Sequence, residues 1–358
     1  SEQIARTNYF QKISDIPLLI LADAEYGSAM RLKDGLAFPR NMTLGALTDN
    51  TLIYQMGYLV GQDLHELGVH MNLAPVADVN NNPNNPVIYD GSFGSDPENV
   101  AQKCVAFTKG LQDAGIMACA KHFPGHGDTN VDSHLALPTI MHTRTHLNET
   151  ELVPFAACIQ NGIDAVMLAH ISVPALEGIE NVPASLSKKI CTELLKNELG
   201  FEGLILTDGL GMCAATQHQP SGVLELQALL AGADLLLCPI DASLVINYVY
   251  QAVQQGAISE EMINHKLLRV LKAKQKAFAQ TTARVKTNYL EAAEKLKKEI
   301  YLKAVTQVFD KRCPDKPQSY LAVTPPSKYA HENFGISPEQ LQQLQNAIDA
   351  GNEVTIIL

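Results

Sequence analysis

Residues 116–138 read IMACAKHFPGHGDTNVDSHLALP, and this stretch carries most of the argument about the fold. Its first part, Ile116–Ala120, is apolar without interruption and then meets Lys121 and His122. A short apolar run with no polar alternation is what a strand buried on both faces looks like. The second part packs Pro124, Gly125, His126, Gly127, Asp128, Asp132, Ser133 and His134 into one segment. Glycine and proline let a chain bend sharply, and ionisable groups at that density suit a loop that places charge. Working outward, the same design recurs. IPLLILAD ends at Asp23, VHMNLAPVADVN at Asn80, DAVMLAH at His170, GLILTD at Asp208 and ADLLLCP at Pro239. Between these runs lie segments with apolar spacing near 3.6, at 52–67, 99–114 and 150–161.

Six strand–helix units in a row predict a parallel sheet and an α/β fold, closed as a TIM-like (β/α)8 barrel. An open doubly wound sheet is the rival. No GxGxxG-type phosphate turn follows any of the strands, which disfavours it. Six units fall short of eight, so an N-terminal unit is expected to be missing or replaced by irregular structure. The domain division expected is 1–285 for the barrel, 286–315 for a helical linker, and 316–358 for the start of a second α/β domain, cut off. Long helical patterns are expected at 260–279 and 288–309. SYLAVT and EVTIIL read as strands of the second domain, with a helix at Ser337–Ala350 opened by Ser-Pro and closed by Gly351.

In a barrel, polar residues at strand ends share one mouth on the C-terminal face. Asp23, Asp78, Lys121, His122, His170 and Asp208 are all so placed. Asp208, followed by Gly209 and Gly211, fits a nucleophile at an anomeric carbon or a helix N-cap equally well. Asp132 and His134 form a carboxylate–imidazole pair that exchanges protons near neutrality, or a solvated polar loop. Lys121 and His122 are adjacent on a strand and point to opposite sides unless a bulge redirects one of them. They suit sugar hydroxyls, or Lys121 pairs with a neighbouring strand-end carboxylate. A metal site from His122, His126, His134 and His170 is disfavoured, because Pro124 and Gly125 break any helix between the first two. His142 and His146 are expected on the surface. No metal and no cofactor are expected.

The chain has 358 residues, 46% of them hydrophobic, with 27 basic against 38 acidic residues and a net charge of −11. That balance argues against nucleic acid or an anionic membrane as the main partner. No apolar run approaches the roughly 18 residues of a membrane span. Seven cysteines are scattered without CxxC spacing, which reads as reduced core cysteines and a cytoplasmic address. Ser1 does not look like a natural start, so a periplasmic or secreted protein stays open.

The stretch KHFPGHGDTNVDSHLALP closely resembles the signature of glycoside hydrolase family 3, in its β-N-acetylglucosaminidase branch. DAEYGSAMRL, FPRNMTLGAL, LAPVADVN, NPNNPVI, HISVPALE, ILTDGLGM and LLAGADLLL match the family's order, so the resemblance covers nearly all of 15–280. It implies Asp208 as nucleophile, His134 with Asp132 as general acid/base, and Asp23, Arg31, Lys121, His122 and His170 around the sugar. It also implies a retaining exo-β-N-acetylglucosaminidase that takes terminal GlcNAc from a small glycan or muropeptide, in cell-wall recycling. The alternatives are a family 3 β-glucosidase or a catalytically drifted sugar-binding barrel. One departure stands out: GSFGSDP has Gly91 where the family normally carries an arginine that helps hold the sugar. Loss of one charge-assisted contact costs about 1.5–3 kcal/mol of binding.

Overall fold

A computed structural model describes residues 2–216, 219–279, 288–304, 319–322 and 354–357. Five strands form one sheet in chain order: β1 (Leu21–Ala22), β2 (Met71–Asn72), β3 (Met117–Phe123), β4 (Ala165–Leu168) and β5 (Leu204–Thr207). Every neighbouring pair is parallel. The sixth apolar run joins through a parallel bridge, Leu206 to Leu235. Leu235 donates its N–H to Ile205 and accepts from Thr207, which carries the ladder one step further.

The α/β class and the parallel sheet are as expected, but the eight-stranded closure is not. Among the described residues the sheet is a half-barrel of five strands plus one bridged segment. The physical reason lies in the chain beyond Leu235, which continues as the helices Ala242–Gln254, Glu260–Ala279 and Tyr289–Ala304. Among the described residues no further strand joins this sheet, and a helix covers the inner face. Met71, Met117, Cys119, Ala165, Met167, Leu204 and Leu206 pack there against Val270, Ala273 and Ala277 of Glu260–Ala279. Polar ties hold that helix at the N-terminal ends of the strands: Lys276 pairs with Asp164, and Arg269 donates to the carbonyls of Glu202 and Gly203. The opposite ends of the strands are thereby left for the polar cluster.

The outer face of the sheet is covered by amphipathic helices. Asn50–Glu66 buries Leu52, Ile53, Met56, Leu59, Val60 and Leu64, and Pro97–Asp113 buries Val100, Cys104, Phe107 and Leu111. Asp49 and Asp96 cap these helices by accepting from the N–H groups of Thr51 and Asn99, and proline opens the second. Both helices lie within two residues of the spacing-based expectation. Ser319–Ala322 and Val354–Ile357 pair as two parallel strands, separate from the main sheet. The expected helix Ser337–Ala350 and residues 305–309 of the expected helix 288–309 lie outside the described residues.

Candidate active site

The site begins where β1 ends. Asn72 of β2 clamps the turn after Asp23: its Oδ1 accepts from the N–H of Ala24 and its Nδ2 donates to the Ala24 carbonyl, both at 3.0 Å. The turn therefore holds Asp23 and Glu25 in place. The Lys121 ammonium, 4% exposed, lies 2.8 Å from Asp23 Oδ1 and 2.8 Å from Glu25 Oε1. Arg31 pairs with the other oxygen of Asp23. Burial would push the Asp23 carboxyl up, but Lys121 and Arg31 outweigh it and hold it at about 2. Burial works against the Lys121 charge too, and the two carboxylates reverse that and raise its pKa. Of the two readings of this lysine, the structure shows the pairing with strand-end carboxylates.

Beside it, the fully buried Asp78 organises β3 and its loop. It accepts from the backbone N–H of His122 (3.1 Å), from His122 Nδ1 (2.8 Å) and from the backbone N–H of His126 (2.7 Å). Burial opposes the His122 charge, and Asp78 and Asp208 outweigh it, so the imidazole pKa is raised. Lys121 and His122 do not point to opposite sides of the sheet. The β3–β4 register shifts between Ala120 and Phe123, and this irregularity brings both side chains to the strand-end cluster.

Asp208 comes directly after β5. Its N–H is bound to the Leu168 carbonyl (2.9 Å), and its Oδ1 accepts from the N–H of Gly209 (2.7 Å). Burial would raise this carboxyl; His122, His170, the Gly209 N–H and Lys121 lower it on balance. It is therefore a carboxylate at neutral pH. His170 takes a different place from the one expected. It is fully buried, with Nδ1 2.7 Å from Ser185 Oγ and Nε2 3.0 Å from the Gly209 carbonyl. Nε2 therefore carries the proton, and Nδ1 accepts from the serine. Both ring nitrogens are engaged within the protein, so His170 supports the Asp208–Gly209 turn from behind and offers no ring nitrogen to a sugar.

The loop after β3 is tied down along its first half. A Cβ on Gly127 would fall 1.8 Å from the Val79 carbonyl oxygen, so only glycine permits this approach. Asn85 donates to the carbonyls of His126 and Gly127 at 2.8 Å each. The buried His126 bridges Thr129 through Nδ1 (2.8 Å) and Ser133 through Nε2 (3.0 Å). It is a structural brace. The Ser133 carbonyl accepts from the N–H of Ala214, in the segment after Asp208 (3.2 Å). This contact docks the loop beside β5. Asp132 Oδ1 is 2.8 Å from His134 Nδ1 and also accepts the His134 backbone N–H at 2.9 Å. The imidazole is thereby oriented with Nε2 facing away from its carboxylate, on a side chain that is 56% exposed.

The geometry thus brings Asp23, Lys121, His122 and Asp208 together, with Arg31 and the Asp132–His134 pair at the rim. Sequence reasoning placed Asp78 among the strand ends without a role, and it missed Glu25. The signal for Glu25 was its position two residues after Asp23. At Gly91 an added Cβ would meet only Glu25 Oε2, at 3.7 Å, so space for a longer side chain exists beside the cluster.

A polar cluster at the C-terminal ends of parallel strands, with a loop carrying a His–Asp pair docked beside β5, defines an α/β fold with an enzyme-like mouth. Residues 1–273 match the model of the glycosyl hydrolase family 3 N-terminal domain, and the chain belongs to that family. It is 33% identical over 325 residues to β-hexosaminidase A of Pseudoalteromonas piscicida, covering 83% of this chain and 54% of that protein. It is 36% identical over 228 residues to a β-hexosaminidase of Nitrosomonas eutropha, covering 62% of this chain and 64% of that one. Among solved structures, a family 3 β-N-acetylglucosaminidase from Paenibacillus sp. superposes with a TM-score of 0.81 at 36% identity. That match covers 99% of this chain and 70% of the other. The chain spans about half the length of the Pseudoalteromonas relative.

Proposed function

We propose that this chain carries the catalytic part of a retaining exo-β-N-acetylglucosaminidase, acting on terminal β-linked GlcNAc of cell-wall fragments. The observation that carries this reading is the pairing of an ionised Asp208 at a strand end with the Asp132–His134 pair on a loop docked beside it. The names of the similar proteins, β-hexosaminidase and β-N-acetylglucosaminidase, support the same substrate class.

In this reading Asp208 attacks the anomeric carbon and forms a glycosyl-enzyme ester. His134, protonated and oriented by Asp132, gives its Nε2 proton to the leaving oxygen, and the neutral ring then takes a proton from the attacking water. Asp23 and Arg31 hold the sugar hydroxyls, with Lys121 and His122 beside them. His122 and Lys121 keep Asp208 ionised until it reacts. His170 acts through the backbone of Gly209 as a positioning residue. The proposal extends to a cytoplasmic address and to the domain division 1–285, 286–315 and 316–358.

A second reading, a sugar-binding barrel that has lost turnover, rests on Gly91. Release of p-nitrophenol from its β-GlcNAc and β-glucose glycosides, by wild type and Gly91→Arg, separates the two. Turnover of the GlcNAc glycoside by wild type, with retention of anomeric configuration by NMR, is the expected result. Silence on both glycosides from both proteins would sink the hydrolase reading, and preference for glucose would move it to a β-glucosidase.

A further inference from the structure

A second group of donors lies outside the strand-end cluster. His142 precedes the short helix Arg144–Glu149, His146 stands in its first turns, and Glu151 opens the following helix, Leu152–Gln160. Thr143 caps the first helix by accepting from the N–H of His146. The two imidazoles lie against each other, with ring centroids 4.0 Å apart. These histidines, expected on the surface, are instead half-buried and meet a carboxylate. One ring nitrogen of each and one oxygen of Glu151 all lie within 4.8 Å of one another.

The internal hydrogen bonding of this cluster is incomplete. Glu151 is 0% exposed, and its Oε2 has no hydrogen-bond partner. His146 Nε2 is likewise buried without one, because Glu151 Oε1 stands 3.6 Å away. Asn81 Nδ2 reaches Oε1 at 3.4 Å. Buried polar atoms are almost always satisfied, so two orphans on neighbouring side chains of one cluster call for a bound group. Asp128 contacts His142 Nε2 and brings a second carboxylate to the edge of the cluster.

We infer that His142, His146 and Glu151 bind one divalent transition-metal ion of the zinc type, with Asp128 supporting His142. Two imidazoles and a carboxylate suit Zn²⁺, Co²⁺ or Ni²⁺, whereas Mg²⁺ and Ca²⁺ prefer oxygen donors throughout. Three protein donors leave the fourth tetrahedral position to water. The location gives the ion its task. Asp128 belongs to the loop that carries Asp132 and His134, and Glu151 packs under Gly125, where a Cβ would come within 2.7 Å of the Glu151 Cβ. The ion fastens the base of that loop to the helix pair below it. Binding at this site is independent of the reading of the activity.

The test uses the full chain, stripped with EDTA and dialysed, then titrated with Zn²⁺ by calorimetry and with Co²⁺ by visible absorption. One ion per chain is expected, with a Co²⁺ spectrum of tetrahedral type and a Tm that rises with added Zn²⁺. His142→Ala and His146→Ala should each abolish stoichiometric binding. Asp128→Asn should weaken it about 10–100-fold. His134→Ala should bind as wild type does. Glu151→Gln is informative when its circular dichroism matches the wild type, and should then not bind. Absence of stoichiometric binding by either ion would overturn the inference. So would binding that survives His146→Ala, or binding lost in His134→Ala and kept in His142→Ala, which would put the ion at the Asp132–His134 pair.

Discussion

Lys121 and His134 belong to the same strand-and-loop segment, yet the Lys121 side chain is 4% exposed and that of His134 is 56% exposed. Lys121 sits between two carboxylates at 2.8 Å each, on a strand hydrogen-bonded on both sides. His134 has one carboxylate partner and hangs from a loop braced at His126, Thr129 and Ser133. The difference teaches a division of labour. Charge that must stay fixed is placed at strand ends, where low dielectric strengthens each pairing. In the proposed mechanism, the group that exchanges protons with a leaving group and with water is the exposed one, open to solvent.

The sharpest way to break this comparison is at the buried end. Asp208→Asn should lower kcat by about 10⁴-fold or more, the scale of losing a group that acts as part of a unit, with Tm little changed. A variant that keeps a tenth of the activity would remove the nucleophile assignment. At the exposed end, His134→Ala should cost about 10²–10⁴-fold on glycosides with poor leaving groups. Activated aryl glycosides, which need little protonation, should lose far less. Equal losses on both would mean that His134 is not the acid.

Stability separates the two ends further. Lys121→Met removes the cation between Asp23 and Glu25, leaving Asp23 with Arg31 alone and Glu25 without its ion-pair partner. A loss of about 3–5 kcal/mol in urea unfolding is expected, whereas His134→Ala should stay within about 0.5 kcal/mol of wild type. The smallest effect is a pH dependence. Asp23 has a folded pKa of about 2 against an ordinary value of 3.8. A lowered carboxylate contributes stability above its unfolded pKa and loses it as pH falls through the folded one. At roughly 1.4 kcal/mol per unit, about 2 kcal/mol should disappear between pH 4 and pH 2. Asp23→Asn should flatten that part of the stability curve, and an unchanged slope would show that the Lys121 cluster does not hold Asp23 ionised.

Much of this was legible in the sequence. The strand ends at Asp23, Lys121, His122, His170 and Asp208 stood out because strands buried on both faces are apolar without a break, so the first ionisable residue marks the end. The helix Glu260–Ala279 lies where a long helical pattern was expected. The strand count was not legible, because no local pattern says whether a sixth segment will be succeeded by a strand or by a helix laid across the inner face. The burial of His170, with both ring nitrogens occupied, was also hidden. It depends on Ser185 and the Gly209 carbonyl, which meet it only in space.

Sequence alone determined the parallel α/β order, the family, and the chemistry available at each strand end, since apolar periodicity and short motifs are local properties. Tertiary structure alone decided how those groups pair. It set Lys121 between Asp23 and Glu25, gave Asp78 to two histidines, turned His170 toward the backbone of Gly209, and stacked His142 on His146 against a buried Glu151. Charges interact through distance and burial, and neither quantity exists until the chain has folded.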